Sequence, residues 1–199
     1  MTSDNDRTLQ TYNDHIDNYV SGTPQIIYAS LKVWMDQALS LIPEGGAILE
    51  LGSGFGRDAT YMKSCGYHVT ATDAAQGFVD LLQKAGHETR LLNALTDEFG
   101  NSYDMIFAHA VLLHFSPEQA GLVIKKAFVS LNSAGVLAFS VKQGSGAKWT
   151  NEKLGSPRHF YYWQKPELEK LLKTTDFSDF AITEGKSKNA SWLYVIAKK

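Results

Sequence analysis

The sequence predicts an α/β domain, a three-layer sandwich in which helices cover both faces of a mostly parallel sheet whose last strand is antiparallel. Strand-like and helix-like runs alternate between Ala47 and Val141 at lengths that suit crossover units. The last two strand-like runs, residues 177–184 and 191–198, are joined only by residues 185–190. Parallel neighbours need a crossover of about a dozen residues, so this short link makes the final pair antiparallel. The chain has 199 residues, 44% hydrophobic and 20% charged. A domain of that size buries roughly 70% of its unfolded surface, so a full core needs neither disulfide nor structural metal.

From the amino end, residues 1–7 are polar and acidic, and no later apolar run approaches the ~20 residues needed to cross a bilayer. This predicts a soluble, cytoplasmic protein with no membrane partner. Ile27, Leu31, Trp34, Ala38 and Leu41 share one helix face, with Thr23 as N-cap and Pro24 as first helical residue. Pro43 and Gly46 end that helix, and residues 1–45 read as a helical cap on a single domain spanning 1–199. Ala47–Leu51 is a short apolar strand running into a glycine-rich turn, then a helix over residues 57–65 closed by Gly66. The unit repeats with a strand at 68–72, a helix at 75–85 closed by Gly86, and a strand at 89–92. Residues 103–108 form the next strand. Ser116, Pro117 and Gln119 start a capping-box helix that runs to about Leu131, and a strand follows at 135–141. A helix near 166–173 precedes the final pair.

Nineteen Lys and Arg against 21 Asp and Glu give a formal charge of -2, without the basic excess that a protein neutralising many phosphates carries. A nucleic-acid partner is therefore not expected. Cys65 is the only cysteine, which rules out an intramolecular disulfide and a Cys-based zinc site.

The segment from Glu50 to Arg57 contains Gly52, Gly54 and Gly56 where the first strand meets its helix. In open parallel sheets ligands bind outside the carboxyl ends of the strands, and glycines there let backbone N–H groups approach the ligand. Two ligands compete: a dinucleotide, or the smaller nucleoside S-adenosylmethionine. The dinucleotide fingerprint begun at Gly52 would need its third glycine at position 57, which is Arg57. Asp73 ends the second strand, 23 residues after Glu50, where a carboxylate can accept hydrogen bonds from ribose hydroxyls; capping the next helix is its alternative role. Asn93, after the third strand, can meet an adenine edge or simply form a turn.

The runs AILELGSGFGRDATYMKSCGYHVTATDA, residues 47–74, and YDMIFAHAVLLHF, residues 103–115, resemble the class I S-adenosylmethionine-dependent methyltransferases, small-molecule branch. That resemblance implies a Rossmann-like, seven-stranded sheet and S-adenosylmethionine as cofactor. It puts Gly52, Gly54 and Gly56 against the methionine and ribose portions, Asp73 on the ribose, Asn93 and Ala94 at the adenine, and Ala108 and His109 at the methionine end. Glu50, Ser53, Arg57 and Ala74 complete the expected cofactor-binding set. An aromatic residue before the first strand covers the cofactor in related enzymes. Tyr12 and Tyr19 fit that role, or pack together with His15 at helical spacing.

After the fourth strand, base-amino methyltransferases carry Asn or Asp followed by Pro-Pro and an aromatic residue; here the residues are His109-Ala110-Val111-Leu112. Cytosine-C5 enzymes use a Pro-Cys nucleophile, which is missing here. No acidic residue occurs between Phe107 and Pro117, and His109 with His114 lacks a third ligand, so no metal is expected. Residues 142–163 read as an acceptor-side loop whose aromatics, Trp149 and residues 160–163, suit a small-ligand pocket or a satellite core. The expected activity is methyl transfer to a small-molecule acceptor, with His109, His159 and Tyr161 facing the nucleophile and His109 as a base titrating near neutrality. A nucleoside-binding module without catalysis, a methyltransferase for macromolecules and, more remotely, a nucleotide-dependent oxidoreductase are the alternatives. Neither the acceptor nor the oligomeric state is legible.

Overall fold

The computed structural model describes residues 3–177, 179–187 and 190–199. Seven strands form one sheet: β1 (Ala47–Leu51), β2 (His68–Asp73), β3 (Glu88–Leu91), β4 (Tyr103–His109), β5 (Leu131–Lys142), β8 (Asp179–Ser187) and β9 (Ala190–Lys198). Their order is β3-β2-β1-β4-β5-β9-β8, parallel from β3 to β5, with β9 antiparallel to both neighbours. This is the Rossmann-like α/β fold. Ser178, in the expected strand 177–184, and Lys188 and Asn189, in the expected link, lie outside the described residues.

The helices α4 (Arg57–Ser64) and α5 (Gln76–Lys84) connect strands that step one way from β1, whereas α6 (Pro117–Ser130) connects β4 to β5 stepping the other way. Right-handed crossovers therefore put α6 on the opposite face from α4 and α5, and strand order reverses between β1 and β4. That reversal opens a crevice at the carboxyl ends of the two strands, where the glycine turn lies. Phe107 and Phe139 are fully buried at the centre of the sheet, and Trp34 stacks on Tyr194 at 5.0 Å while donating from Nε1 to the Val195 carbonyl.

β5 begins at Leu131, four residues before its expected start, and β8 runs Asp179–Ser187 against the expected 177–184; other segments depart further from the sequence reading. The helix expected from Pro24 begins five residues later, as α3 (Ala29–Leu39). The Thr23 hydroxyl donates back to the Tyr19 carbonyl, closing the preceding helix α2 (Ile16–Ser21), and the Pro24 carbonyl accepts from Arg57. Thr23-Pro24 thus ends one helix instead of starting another. A capping box of Ser3 and Asp6 opens a further helix, α1 (Asp4–Asp14). Within residues 142–163, expected as loop, β6 (Ala147–Thr150) and β7 (Arg158–Tyr161) form an antiparallel pair. The last helix is α7 (Lys165–Leu172).

Helix α1 is laced to that pair. Thr8 Oγ1 accepts the His159 N–H at 3.1 Å, Thr11 Oγ1 donates to the Pro157 carbonyl at 2.7 Å, and the Arg7 guanidinium lies 4.5 Å from the Trp149 ring. Together they roof the crevice.

Candidate active site

The glycine turn is held by its neighbours. Ser53 exchanges two hydrogen bonds with Thr72, its N–H donating to the carbonyl at 2.8 Å and its Oγ accepting the N–H at 3.0 Å. Gly52 has φ +65°, and a Cβ there would lie 2.5 Å from Val111 Cγ2, so only glycine fits. Asp73 ties the turn to the end of β2: Oδ2 accepts the Gly54 N–H and Oδ1 the Ala75 N–H, each at 2.9 Å. Burial pushes its carboxyl up to about 6, against the pull of those N–H groups.

A cavity opens above this turn. Of the expected cofactor residues, Tyr12, Tyr19, Gly52, Gly54, Asp73, Ala74, Asn93, Ala94 and His109 line it. Asn93 Oδ1 accepts the Leu95 N–H, a turn that leaves its amide group for a ligand. Sequence reasoning missed Asn5, Thr8, Leu9, Phe78 and Val111, which also line the cavity. The Ser3 capping box was the available signal for the first three. The rings of Tyr12, Tyr19 and Phe78 pack edge to face or tilted, with Tyr19 5.5 Å from Tyr12 and 5.2 Å from Phe78. Backbone N–H groups, a ribose-competent carboxylate, an amide and an aromatic cover suit an adenosine with an amino-acid tail, so the residues fit S-adenosylmethionine.

A second, larger cavity adjoins it, sharing Tyr12, Tyr19, Gly52, Gly54, His109, Ala110 and His114 as walls. Ser53 and Arg57 line this one instead. Arg57 forks onto Asp58, Nε to Oδ1 at 2.7 Å and Nη2 to Oδ2 at 3.1 Å. Ala110, with φ +61°, carries the chain sharply round between the two cavities, its N–H donating to Ser140 Oγ.

The structure does not bring the rest of the expected set to either cavity. Glu50 is buried behind the turn, its carboxyl pushed up to about 8 by burial and by Asp58, with Oε2 unpartnered. Gly56 caps α4, where a Cβ would meet His87 and Leu82. Ala108 points into the core, because side chains alternate along β4 and His109 takes the cavity side. His159 and Tyr161 are likewise misplaced. On β7, Arg158 and Phe160 line the larger cavity, while the His159 ring packs on Trp149 and Tyr161 on Trp163.

His109 is in place but not as a base near neutrality. It lies 5.3 Å from Trp192 and 6.2 Å from Trp34, with Nδ1 2.6 Å from Ser140 Oγ, and burial lowers its imidazole to about 4. His114 forms a second polar group at the shared wall. Its Nδ1 is 2.6 Å from the His159 carbonyl, which can only accept, so Nδ1 carries the proton and Nε2 accepts from the Tyr12 hydroxyl at 3.0 Å. Arg158 Nη1 donates to the same hydroxyl at 3.3 Å. Among the described residues no group of three or more His, Cys, Asp or Glu is placed to hold a metal ion, and no helix is long and apolar enough to cross a membrane.

Residues 49–139 match a family model described as a methyltransferase domain. Among curated protein sequences no match was found. Solved structures do match. An S-adenosylmethionine-dependent methyltransferase of Methanosarcina mazei is similar at TM-score 0.70 and 21% identity, over 81% of this chain and 95% of that one. The 1,6-didemethyltoxoflavin-N1-methyltransferase of Burkholderia thailandensis, solved with 1,6-didemethyltoxoflavin and S-adenosylhomocysteine, matches at TM-score 0.73 and 21% identity, over 96% of this chain and 84% of that one. The magnesium protoporphyrin IX methyltransferase of Synechocystis, solved with S-adenosylmethionine, matches at TM-score 0.74 and 15% identity, over 100% and 99%. At these identities the likeness is one of fold.

Proposed function

We propose that the chain, whose residues 49–139 match the methyltransferase domain family model and whose fold is shared with S-adenosylmethionine-dependent methyltransferases, is itself such a methyltransferase, and that its acceptor is a small molecule. One observation carries the proposal: the cavity lined by the expected cofactor residues and a larger one meet at a shared wall beside α1 and the β6–β7 pair. A concave acceptor side lined by aromatic and polar side chains suits a small molecule. The toxoflavin and porphyrin enzymes of similar fold, by their names, act on small molecules, which supports the same reading.

S-adenosylmethionine supplies a methyl group already activated by the sulfonium charge. What remains for the protein is placement and exclusion of water. In this proposal Asp73 accepts from the ribose hydroxyls, Asn93 and Ala94 meet the adenine, and Tyr12, Tyr19 and Phe78 cover the site. His109 and Ala110 form the wall where the cavities meet. A base with a pKa of about 4 is nearly ineffective near neutral pH, so His109 shapes the acceptor side and takes no proton there. The Tyr12 hydroxyl, fixed by His114 and Arg158, holds the roof at the same point.

A panel of small amine, hydroxyl, thiol and carboxylate compounds, assayed for release of S-adenosylhomocysteine, tests the proposal. Turnover with at least one of them, dependent on Asp73 and Tyr19, is expected. Turnover only with protein or nucleic acid would sink it.

A further inference from the structure

The larger cavity holds more positive charge than its carboxylates balance. Arg158 is 5% exposed, yet its ionic partners are missing: Nη2 donates to the Glu152 carbonyl at 2.6 Å, Nη1 to Tyr12, and the buried Nε has no partner. Lys142 and Lys153 line the same cavity, and neither makes an ion pair among the described residues. The three cations are spaced by aromatic rings. Phe160 has the Lys142 ammonium 4.4 Å and the Arg158 guanidinium 5.1 Å from its centre, and Tyr19 has the Lys153 ammonium at 3.9 Å. Against them stand Asp58, already bidentate with Arg57, and Glu152 at the exposed rim.

Gathering like charges in a half-buried space costs free energy that ring contacts only partly offset. The strain is visible in the lysines. Burial and then Arg158 lower Lys142, and burial, Arg158, Arg57 and Lys142 bring Lys153 down to about 8. An anion in the cavity would relieve it, and a guanidinium that lines the cavity without a carboxylate partner is a group for an oxyanion.

We propose that the methyl acceptor carries an oxyanionic group, carboxylate or phosphate, bound by Arg158 and Lys142 with Lys153 at the rim of the larger cavity. This assignment rests on the methyltransferase reading and names the acceptor class within it. The anionic end would be anchored on β7 and the end of β5, leaving the nucleophile to face the His109–Ala110 wall.

The test is calorimetric, on protein saturated with S-adenosylhomocysteine, titrated with inorganic phosphate and separately with acetate against a constant chloride background. At least one ion is expected to bind, and Lys142→Gln and Arg158→Gln should each weaken it about tenfold or more, the loss of one charge-assisted contact. Should Arg158→Gln fail to fold, Lys142→Gln and Lys153→Gln carry the comparison. Phosphate binding tighter than acetate assigns a phosphorylated acceptor, and the reverse a carboxylate. Binding of neither ion, or equal binding by wild type and the lysine variants, overturns the proposal. Titration of S-adenosylhomocysteine alone comes first: its failure to bind would count against the methyltransferase reading, and the ion titrations on the unloaded protein would still decide the anion site.

Discussion

Replacing Asp73 by asparagine keeps the shape of the side chain and removes what the structure asks of it. Both carboxylate oxygens accept backbone N–H groups, Gly54 on one and Ala75 on the other, at 2.9 Å each. An asparagine has one accepting oxygen, so its NH2 must face one of those donors. The variant loses one charge-assisted bond, about 1.5 to 3 kcal/mol, and buries a donor against a donor, about 1 to 3 kcal/mol more. Stability should fall by at most roughly 2.5 to 6 kcal/mol, reduced by the burial cost of the carboxylate charge that asparagine does not carry, a loss that most domains with about 5 to 15 kcal/mol in hand can survive. Cofactor affinity should fall roughly ten- to a hundredfold, since a ribose would lose a charged acceptor and the glycine turn its tie. The pH dependence gives a separate signature. With the carboxyl at about 6, affinity for S-adenosylhomocysteine should be constant above pH 6 and fall below it, towards tenfold per unit, as protonation removes the acceptor. The asparagine variant should show no such fall between pH 5 and about 7. Calorimetry across that range and urea denaturation of both proteins read the two effects. A folded Asp73→Asn protein with wild-type affinity and the wild-type pH profile would refute the reasoning.

Three further outcomes are expected. Gly52→Ala, with φ +65° and Val111 in the way of a Cβ, should lose about 2 kcal/mol of stability and most cofactor binding; Gly66→Ala, where nothing lies within 4 Å, should lose only the strain of its φ, and equal losses by melting would contradict this. The turnover rate should show no rise assignable to His109 between pH 6 and 8, and a titration near 6.5 that disappears in His109→Asn would restore the base. Glu50, at about 8 in the folded chain against 4.5 in the unfolded, keeps its proton longer when folded. Stability should therefore rise as pH falls from 8 to 6.5, by at most about 2 kcal/mol, and Glu50→Gln should flatten that slope; equal urea midpoints for the wild type at the two pH values would rule the effect out.

The sheet was legible because its strands are short apolar runs closed by glycines, with β1, β2 and β4 each within a residue of its expected ends. The cofactor side was legible for the same reason: strand ends place Gly52, Gly54, Asp73 and Asn93 together by topology alone. Thr23-Pro24 misled because a hydroxyl followed by proline reads alike at the end of one helix and the start of the next. The acceptor side was hidden for a different reason. Read as loop, residues 158–161 have no faces, so His159 and Tyr161 stood out by chemistry; as a strand they alternate, and Arg158 with Phe160 takes the cavity. Lys142, Lys153 and Arg158 come from three segments, and only the β6–β7 fold makes one charge cluster of them.

The central claim, methyl transfer to a small acceptor, is tested most directly by following the methyl group itself. The protein is incubated with S-adenosylmethionine labelled at the methyl carbon and a whole-cell extract, after which ultrafiltration separates small molecules from macromolecules. The account predicts label in a new compound in the small-molecule fraction, anionic on ion exchange, and its disappearance with Asp73→Asn. Label confined to protein or nucleic acid, and released by protease or nuclease, would contradict it.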